Sequence, residues 1–158
     1  MKIQTHPTYP YVTIVSFLKT ELEKVDLDLC AQPRQTLSKY YDACAIKPTI
    51  LCNGGFFSMS DGSTMFNYKN NGVQVSSSPY AIEGMGTING ALIFGKSTCP
   101  SFNDFISAYP TLIKDSQKVP ITYAQEINYK ARRTILGYNA DTIFLIAVES
   151  PGMDFAQM

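Results

Sequence analysis

The clearest pattern in the chain is strict alternation. In Lys24 to Cys30, Val25, Leu27 and Leu29 fall on one side and Asp26 and Asp28 on the other, which predicts a half-buried strand. Tyr11 to Phe17 predicts another strand, and Thr49 to Cys52 a short apolar one that runs into Asn53-Gly54-Gly55-Phe56-Phe57. Between them the period changes. Leu37, Tyr40, Tyr41, Cys44 and Ala45 recur at helical spacing, which predicts a helix over Gln35 to Ile46, with Thr36 as its cap and Pro48 as its stop. Phe66 to Ser76 predicts a hairpin about Asn71-Gly72, because both turn positions of a type I′ turn need positive φ. Ala91 to Phe94 reads as a strand. Phe102, Phe105, Ile106 and Tyr109 read as one face of a short helix capped by Ser101. Thr111 to Ile113 is a strand closed by a polar turn at Lys114-Asp115-Ser116. Arg133 to Tyr138 and Thr142 to Val148 form a hairpin about Asn139-Ala140-Asp141. Asp154 looks like the N-cap of a terminal helix turn. Strand-to-strand turns outnumber helical crossovers, so the expected class is α+β: a mainly antiparallel sheet with two or three short helices.

Composition narrows the partners. The 158 residues suit one domain, expected to span residues 1–158. Thirteen Lys and Arg balance thirteen Asp and Glu, so no basic excess exists to drive nucleic-acid binding. Charged residues are only 16% of the chain, and from Asn53 to Gly95 only Asp61, Lys69 and Glu83 carry charge. No apolar run reaches the ~18 residues of a membrane span, and the first residues lack the apolar core of a signal peptide. The expected location is therefore cytoplasmic. The four cysteines (Cys30, Cys44, Cys52, Cys99) have no C-x-x-C spacing and His6 is the single histidine, so neither a metal nor another cofactor is expected. Free thiols follow from a reducing compartment.

Three places could carry chemistry. A Gly pair ending an apolar strand, as at Asn53-Gly54-Gly55, permits positive φ and lets a ligand approach the backbone, with successive N–H groups facing an anion. The alternative is a tight turn followed by two core phenylalanines, Phe56 and Phe57. Arg132-Arg133-Thr134 enters a strand, where neighbouring side chains face opposite sides; one arginine can enter a site while the other meets solvent. An arginine fork suits phosphate or carboxylate. The alternative is two surface arginines. Glu149 ends the most apolar strand. There it either lines a cleft, where desolvation would suit it to acid–base work, or marks where the strand surfaces. Asp61 and Glu83, in the Gly- and Ser-rich middle, are either second carboxylates of a glycoside-cleaving pair or ordinary loop residues.

Four segments, in order, resemble the signatures of the phosphodiester glycosidase family. Ile50-Leu51-Cys52-Asn53-Gly54-Gly55-Phe56-Phe57 resembles its A-x-N-G-G-F-F motif. Tyr109 to Asp115 is similar to P-x-L-[IV]-K-D-G, and Arg133-Thr134-Ile135-Leu136-Gly137 to R-T-A-[IL]-G. Ile143 to Glu149 followed by Pro151 to Phe155 resembles its apolar strand, acidic loop and helix start. The departures are specific. Glu149-Ser150-Pro151 stands where the family has Asp-Gly-Arg, Arg132 stands before Arg133-Thr134 where it has proline, and its D-G-G-G-S-S motif has no counterpart here. A shortened version of the family domain is thus expected.

The resemblance implies hydrolysis of a sugar-1-phosphodiester, such as an N-acetylglucosamine derivative, to free sugar and a phosphate monoester. It implies that Arg133 and the Asn53-Gly54-Gly55 amides hold the phosphate. Phe56 or Phe57 walls the sugar, Thr134 orients Arg133 or the ligand, and Glu149 is the catalytic carboxylate. Two other functions stay open. One is a binding module that sequesters a sugar-phosphate or nucleotide-type small molecule without turnover. The other is a structural protein that keeps only the fold, whose incomplete sheet edge would favour homo-oligomers.

Overall fold

A computed structural model of the chain describes residues 1–22, 35–58, 60–80, 82–96, 101–120, 130–154 and 158. The molecule is β-rich, with 46% strand and 8% helix, and this corrects the expected α+β class. Among the described residues the helices are two short ones, α1 (Lys19–Leu22) and α2 (Leu37–Ala43). The expected strand over Lys24 to Cys30 and the helix start after Asp154 lie outside the described residues. The chain divides into two compact units, Met1–Val25 with Pro110–Met158, and Asp26–Tyr109.

The first unit is built on a four-stranded antiparallel sheet. Its strands are β1 (Lys2–Thr5) and β2 (Val12–Leu18), then β10 (Ala131–Tyr138) and β11 (Thr142–Met153), in the order β1-β2-β11-β10. The hairpin expected about Asn139 forms β10 and β11. Asn139 Oδ1 closes it by accepting from the backbone N–H groups of Asp141 at 3.0 Å and Thr142 at 2.8 Å. Register aligns Val12 with Val148 and Ile14 with Ile146, and Arg133 and Ile135 stand opposite the same two β11 residues. Opposed residues share a face, so Val12, Val148 and Met153 form a core on which Ile14, Ile135, Ile146 and Met158 pack. Ile143, on the other face, is only 1% exposed. The same unit carries a small hairpin of β8 (Ile113–Lys114) and β9 (Gln117–Lys118), turned by Asp115 and Ser116 at positive φ.

The second unit holds α2 and a five-stranded antiparallel sheet. Its strands are β3 (Tyr68–Asn70), β4 (Val73–Ser76), β5 (Gly84–Ile88), β6 (Ala91–Lys96) and β7 (Asp104–Ser107), ordered β4-β3-β7-β5-β6. Asn71-Gly72 turns the first hairpin with φ of 48° and 79°, as a type I′ turn requires. Asn89-Gly90 turns the second with φ of 49° and 78°.

Strand β7 replaces the helix expected at Phe102 to Tyr109. All four of its residues are buried. A central strand covered on both faces loses its two-residue alternation, and Phe102, Phe105 and Ile106 then mimic a helical stripe. Polar Asp104, 8% exposed, is what the sheet needs there. Its Oδ1 accepts from the Asn71 N–H at 2.8 Å and its Oδ2 from the Thr87 hydroxyl at 2.9 Å. Glycines let β5 lie close to β7. A Cβ at Gly84 would come within 2.0 Å of the Ile106 carbonyl oxygen, and one at Gly86 within 2.3 Å of the Asp104 oxygen.

Helix α2 is capped as expected. Thr36 Oγ1 accepts from the Lys39 N–H at 3.2 Å. It ends at Ala43 rather than near Pro48, and Lys47 Nζ satisfies last-turn carbonyls by donating to Tyr41 and Asp42 at 2.8 and 3.0 Å. None of its residues is buried, so the predicted apolar stripe is not a core face. Thr49 to Cys52 is irregular rather than a strand.

The Asp104 arrangement gives a direct test. Asp104→Ala takes the acceptor from the Asn71 N–H at the hairpin turn and from the half-buried Thr87 hydroxyl, and is expected to cost roughly 1–3 kcal/mol in urea unfolding. Thr87→Val should cost less, and should add almost nothing in the Asp104→Ala background, since the bond it removes is already gone.

Candidate functional site

The residues singled out in the sequence fall in both units. Asn53, Gly54, Gly55, Phe56 and Phe57 belong to the second; Arg133, Thr134 and Glu149 belong to the first.

In the second unit Asn53 and Gly54 are exposed and Gly55 is half-buried. The expected positive φ is not what the Gly pair supplies: among the described residues the glycines at positive φ are 62, 72, 90, 95 and 152. The pair supplies space. A Cβ on Gly54 would stand 2.6 Å from Ile106 Cδ1, and one on Gly55 would stand 3.1 Å from both Ile106 Cγ1 and the Ser107 carbonyl oxygen. The segment thus lies tightly against β7. Phe56 and Phe57 are exposed at 37% and 47% rather than core. Phe56 meets Phe66 and Tyr109 edge-on, with ring centroids 5.6 and 6.4 Å away. Such an aromatic group offers an apolar wall of the kind that stacks on a sugar or base.

The following loop is closed by its own polar groups. Phe57 bridges Thr64, and the Ser58 N–H donates to the Ser63 carbonyl at 2.8 Å. Asp61 Oδ1 accepts from the Ser63 N–H at 3.0 Å and from the Ser63 hydroxyl at 2.8 Å. The Ser63 backbone bond first, then the Ser58 and Ser63 hydroxyls, hold the Asp61 carboxyl down at about 2 from an ordinary 3.8. These contacts favour the reading of Asp61 as a loop residue.

In the first unit, Arg132 is exposed and Arg133 half-buried, the split that strand alternation requires. Arg133 shares a face with Val148 and Val12, and its guanidinium Nε is buried. Thr134 is exposed and belongs to the opposite face, paired with Ala147. It therefore does not stand beside Arg133 on one surface. The ladder is broken between Arg133–Val148 and Ala131–Met153, so that residues 149–152 of β11 bow out opposite Arg132. Glu149 opens this bow. Its N–H donates to the Tyr11 carbonyl at 2.9 Å and its side chain is exposed. It marks the point where the apolar strand surfaces, not a desolvated cleft. Gly152 closes the bow at φ 84°, with its missing Cβ within 2.6 Å of the Ala131 backbone.

Alternation within the hairpin and the end of its regular ladder at Val148, marked by Ser150-Pro151-Gly152, were legible in the sequence; the return of β11 to pairing at Met153 was not. Ile106 was missed as a neighbour of Gly54 and Gly55, since it lies some fifty residues along the chain in a segment that reads as helix. Cys44 and Cys52 are free thiols. Among the described residues, no group of three or more His, Cys, Asp and Glu side chains is placed to hold a metal ion, and no helix is long and apolar enough to cross a membrane.

Comparison with known protein families, with characterised proteins and with solved structures finds no match to this chain.

The Asp61 loop makes a pH prediction. A depressed carboxyl contributes stability that is present above an ordinary pKa of 3.8 and is lost as pH falls through about 2. A carboxyl-carbon NMR titration should therefore place its midpoint near 2, and Ser63→Ala should raise it. A midpoint at 3.8 would show that the Ser63 bonds are not made in solution.

Proposed function

We propose that the chain acts on a sugar joined through its anomeric carbon to a phosphodiester, in the manner implied by its resemblance to the phosphodiester glycosidases. The observation that supports this reading is the end of the β10–β11 ladder. Arg133 is paired with Val148, and Glu149 is the next residue. Arg133 and Glu149, sixteen positions apart in sequence, thus lie one register step apart where the ladder breaks.

The reaction needs little beyond them. Arg133 takes two phosphate oxygens with its planar fork. Water bonds to the anomeric carbon as the C–O bond breaks, and the electron pair leaves with the phosphate oxygen. Glu149, ionised, accepts the proton from water and stabilises positive charge on the sugar. Phosphate is a good leaving group, so a raised-pKa general acid is not required. In the second unit, taken by itself, the Asn53-Gly54-Gly55 N–H groups and Phe56 or Phe57 form a candidate ligand-binding segment.

A second reading, binding of a sugar-phosphate or nucleotide without turnover, is favoured by two particulars. Glu149 is exposed, and Thr134 faces away from Arg133. A site that holds phosphate but leaves its carboxylate in water would bind well and turn over poorly.

Incubation with UDP-N-acetylglucosamine, followed by mass spectrometry of released sugar and retained ligand, separates these readings. For the enzyme, Glu149→Ala should lower turnover by roughly 10²–10⁴-fold with binding kept. Arg133→Ala should weaken binding by roughly 10–100-fold. Retention without release selects the binding module. Retention unchanged by Arg133→Ala rejects the placement of the phosphate.

A further inference from the structure

We infer that Ile106 is the positioning residue for the Asn53-Gly54-Gly55 segment, an inference that rests on the reading of that segment as ligand-binding. Ile106 sits in β7, the central strand of its sheet, and is 9% exposed. Its backbone has no room to retreat. On one side Gly84 of β5 approaches so closely that a Cβ there would stand 2.0 Å from the Ile106 carbonyl oxygen and 2.8 Å from its carbonyl carbon. Its side chain is packed with Tyr68 and Met85. The far end of that side chain, Cδ1, stands 2.6 Å from where a Cβ on Gly54 would be, and Cγ1 makes a tight 3.1 Å approach to the Gly55 Cβ position. Ser107 adds a second backstop, its carbonyl oxygen 3.1 Å from the Gly55 Cβ position. The exposed side of Asn53 and Gly54 is left to solvent or ligand.

Glycine at 54 is therefore explained by Ile106, and glycine at 55 by Ile106 together with the Ser107 carbonyl, not by a left-handed turn; Ile106 is the side chain that sets the path of the three N–H groups. The two glycines differ in a way that can be measured. At Gly54 the obstacle is a methyl at the end of a side chain, which the protein can remove by Ile106→Val. At Gly55 the obstacle includes backbone, which no Ile106 substitution removes.

The test uses the full chain and four variants: Gly54→Ala, Gly55→Ala, Ile106→Val and the double variant Gly54→Ala/Ile106→Val. Two quantities are read. One is amide hydrogen exchange and ¹H–¹⁵N shift at residues 53–55; the other is affinity for UDP-N-acetylglucosamine. Ile106→Val should speed exchange at residues 54 and 55 several-fold while leaving Gly72 and Gly90 in the hairpin turns unchanged. Gly54→Ala should shift the residue 53–55 amides and weaken ligand binding by about tenfold. Ile106→Val should restore both in the double variant but should not rescue Gly55→Ala. A purely structural isoleucine would lower stability in every background and rescue nothing.

Absence of rescue, or exchange at 54 and 55 unmoved by Ile106→Val, overturns the inference. If the unsubstituted chain fails to bind the nucleotide sugar, the functional reading falls. The exchange and shift data still decide whether Ile106 positions the segment.

Discussion

The carboxylate of Asp104 is the constraint from which the five-stranded sheet is hung. It sits on the central strand with hairpins on both sides. One oxygen holds the Asn71 N–H at the turn of β3 and β4, and the other holds the Thr87 hydroxyl on β5. A buried carboxyl that lost either bond would pay its desolvation without return. The two hairpins are therefore registered to the same side chain. Each has an Asn-Gly turn of its own, but a turn only sets how a hairpin pairs with itself. Asp104 ties the hairpins to β7. Neighbouring contacts extend the arrangement: the Gly72 N–H donates to the Asn103 carbonyl at 2.6 Å and the Asn103 N–H to the Thr87 carbonyl at 2.8 Å.

Once β7 is held, the packing around it follows. Gly84 and Gly86 admit its backbone on one flank, and the Asn53-Gly54-Gly55 segment lies over its side chains. Phe102 and Phe105, both nearly fully buried, meet with ring centroids 5.3 Å apart. The Asn53-Gly54-Gly55 segment thereby lies against a strand far from it in sequence. The other unit shows a parallel arrangement. Register between β2, β11 and β10 lines up Val12, Val148 and Arg133, and the ladder then opens at Glu149. In both units the residues of chemical interest stand where regular pairing stops, at the Gly pair and at the bow.

Much of the fold could be read locally, and the exceptions have a common cause. Thr36, Asn71-Gly72 and the Asn139 turn act through hydrogen bonds and φ angles within a few residues, and each is as expected. The split between Arg132 and Arg133 follows from strand geometry alone. The failures all involve segments whose surroundings decide their state. Phe102 to Tyr109 carries a helical stripe, yet it is a central strand because sheet covers both its edges. Thr49 to Cys52 is apolar enough for a strand but has no partner strand to pair with among the described residues. The amphipathic stripe of α2 is real in sequence, but no core receives it. These reversals turn the expected α+β class into a β-rich one.

The sequence by itself determined the turns at Asn71-Gly72 and Asn139, the helix cap, the hairpin of Arg133 to Tyr138 and Thr142 to Val148, and the neutral balance of charge. Those features depend on interactions that span a handful of residues or on composition alone. Tertiary structure decided what the glycines of Asn53-Gly54-Gly55 are for, where Glu149 meets solvent and which strand lies at the centre of the sheet. Each of these depends on the partner brought opposite: Ile106 beneath the glycines, Arg132 across from the bow, Asn71 and Thr87 around Asp104. Such partners lie between about sixteen and fifty residues away, where periodicity and local propensity carry no information about which surfaces will meet.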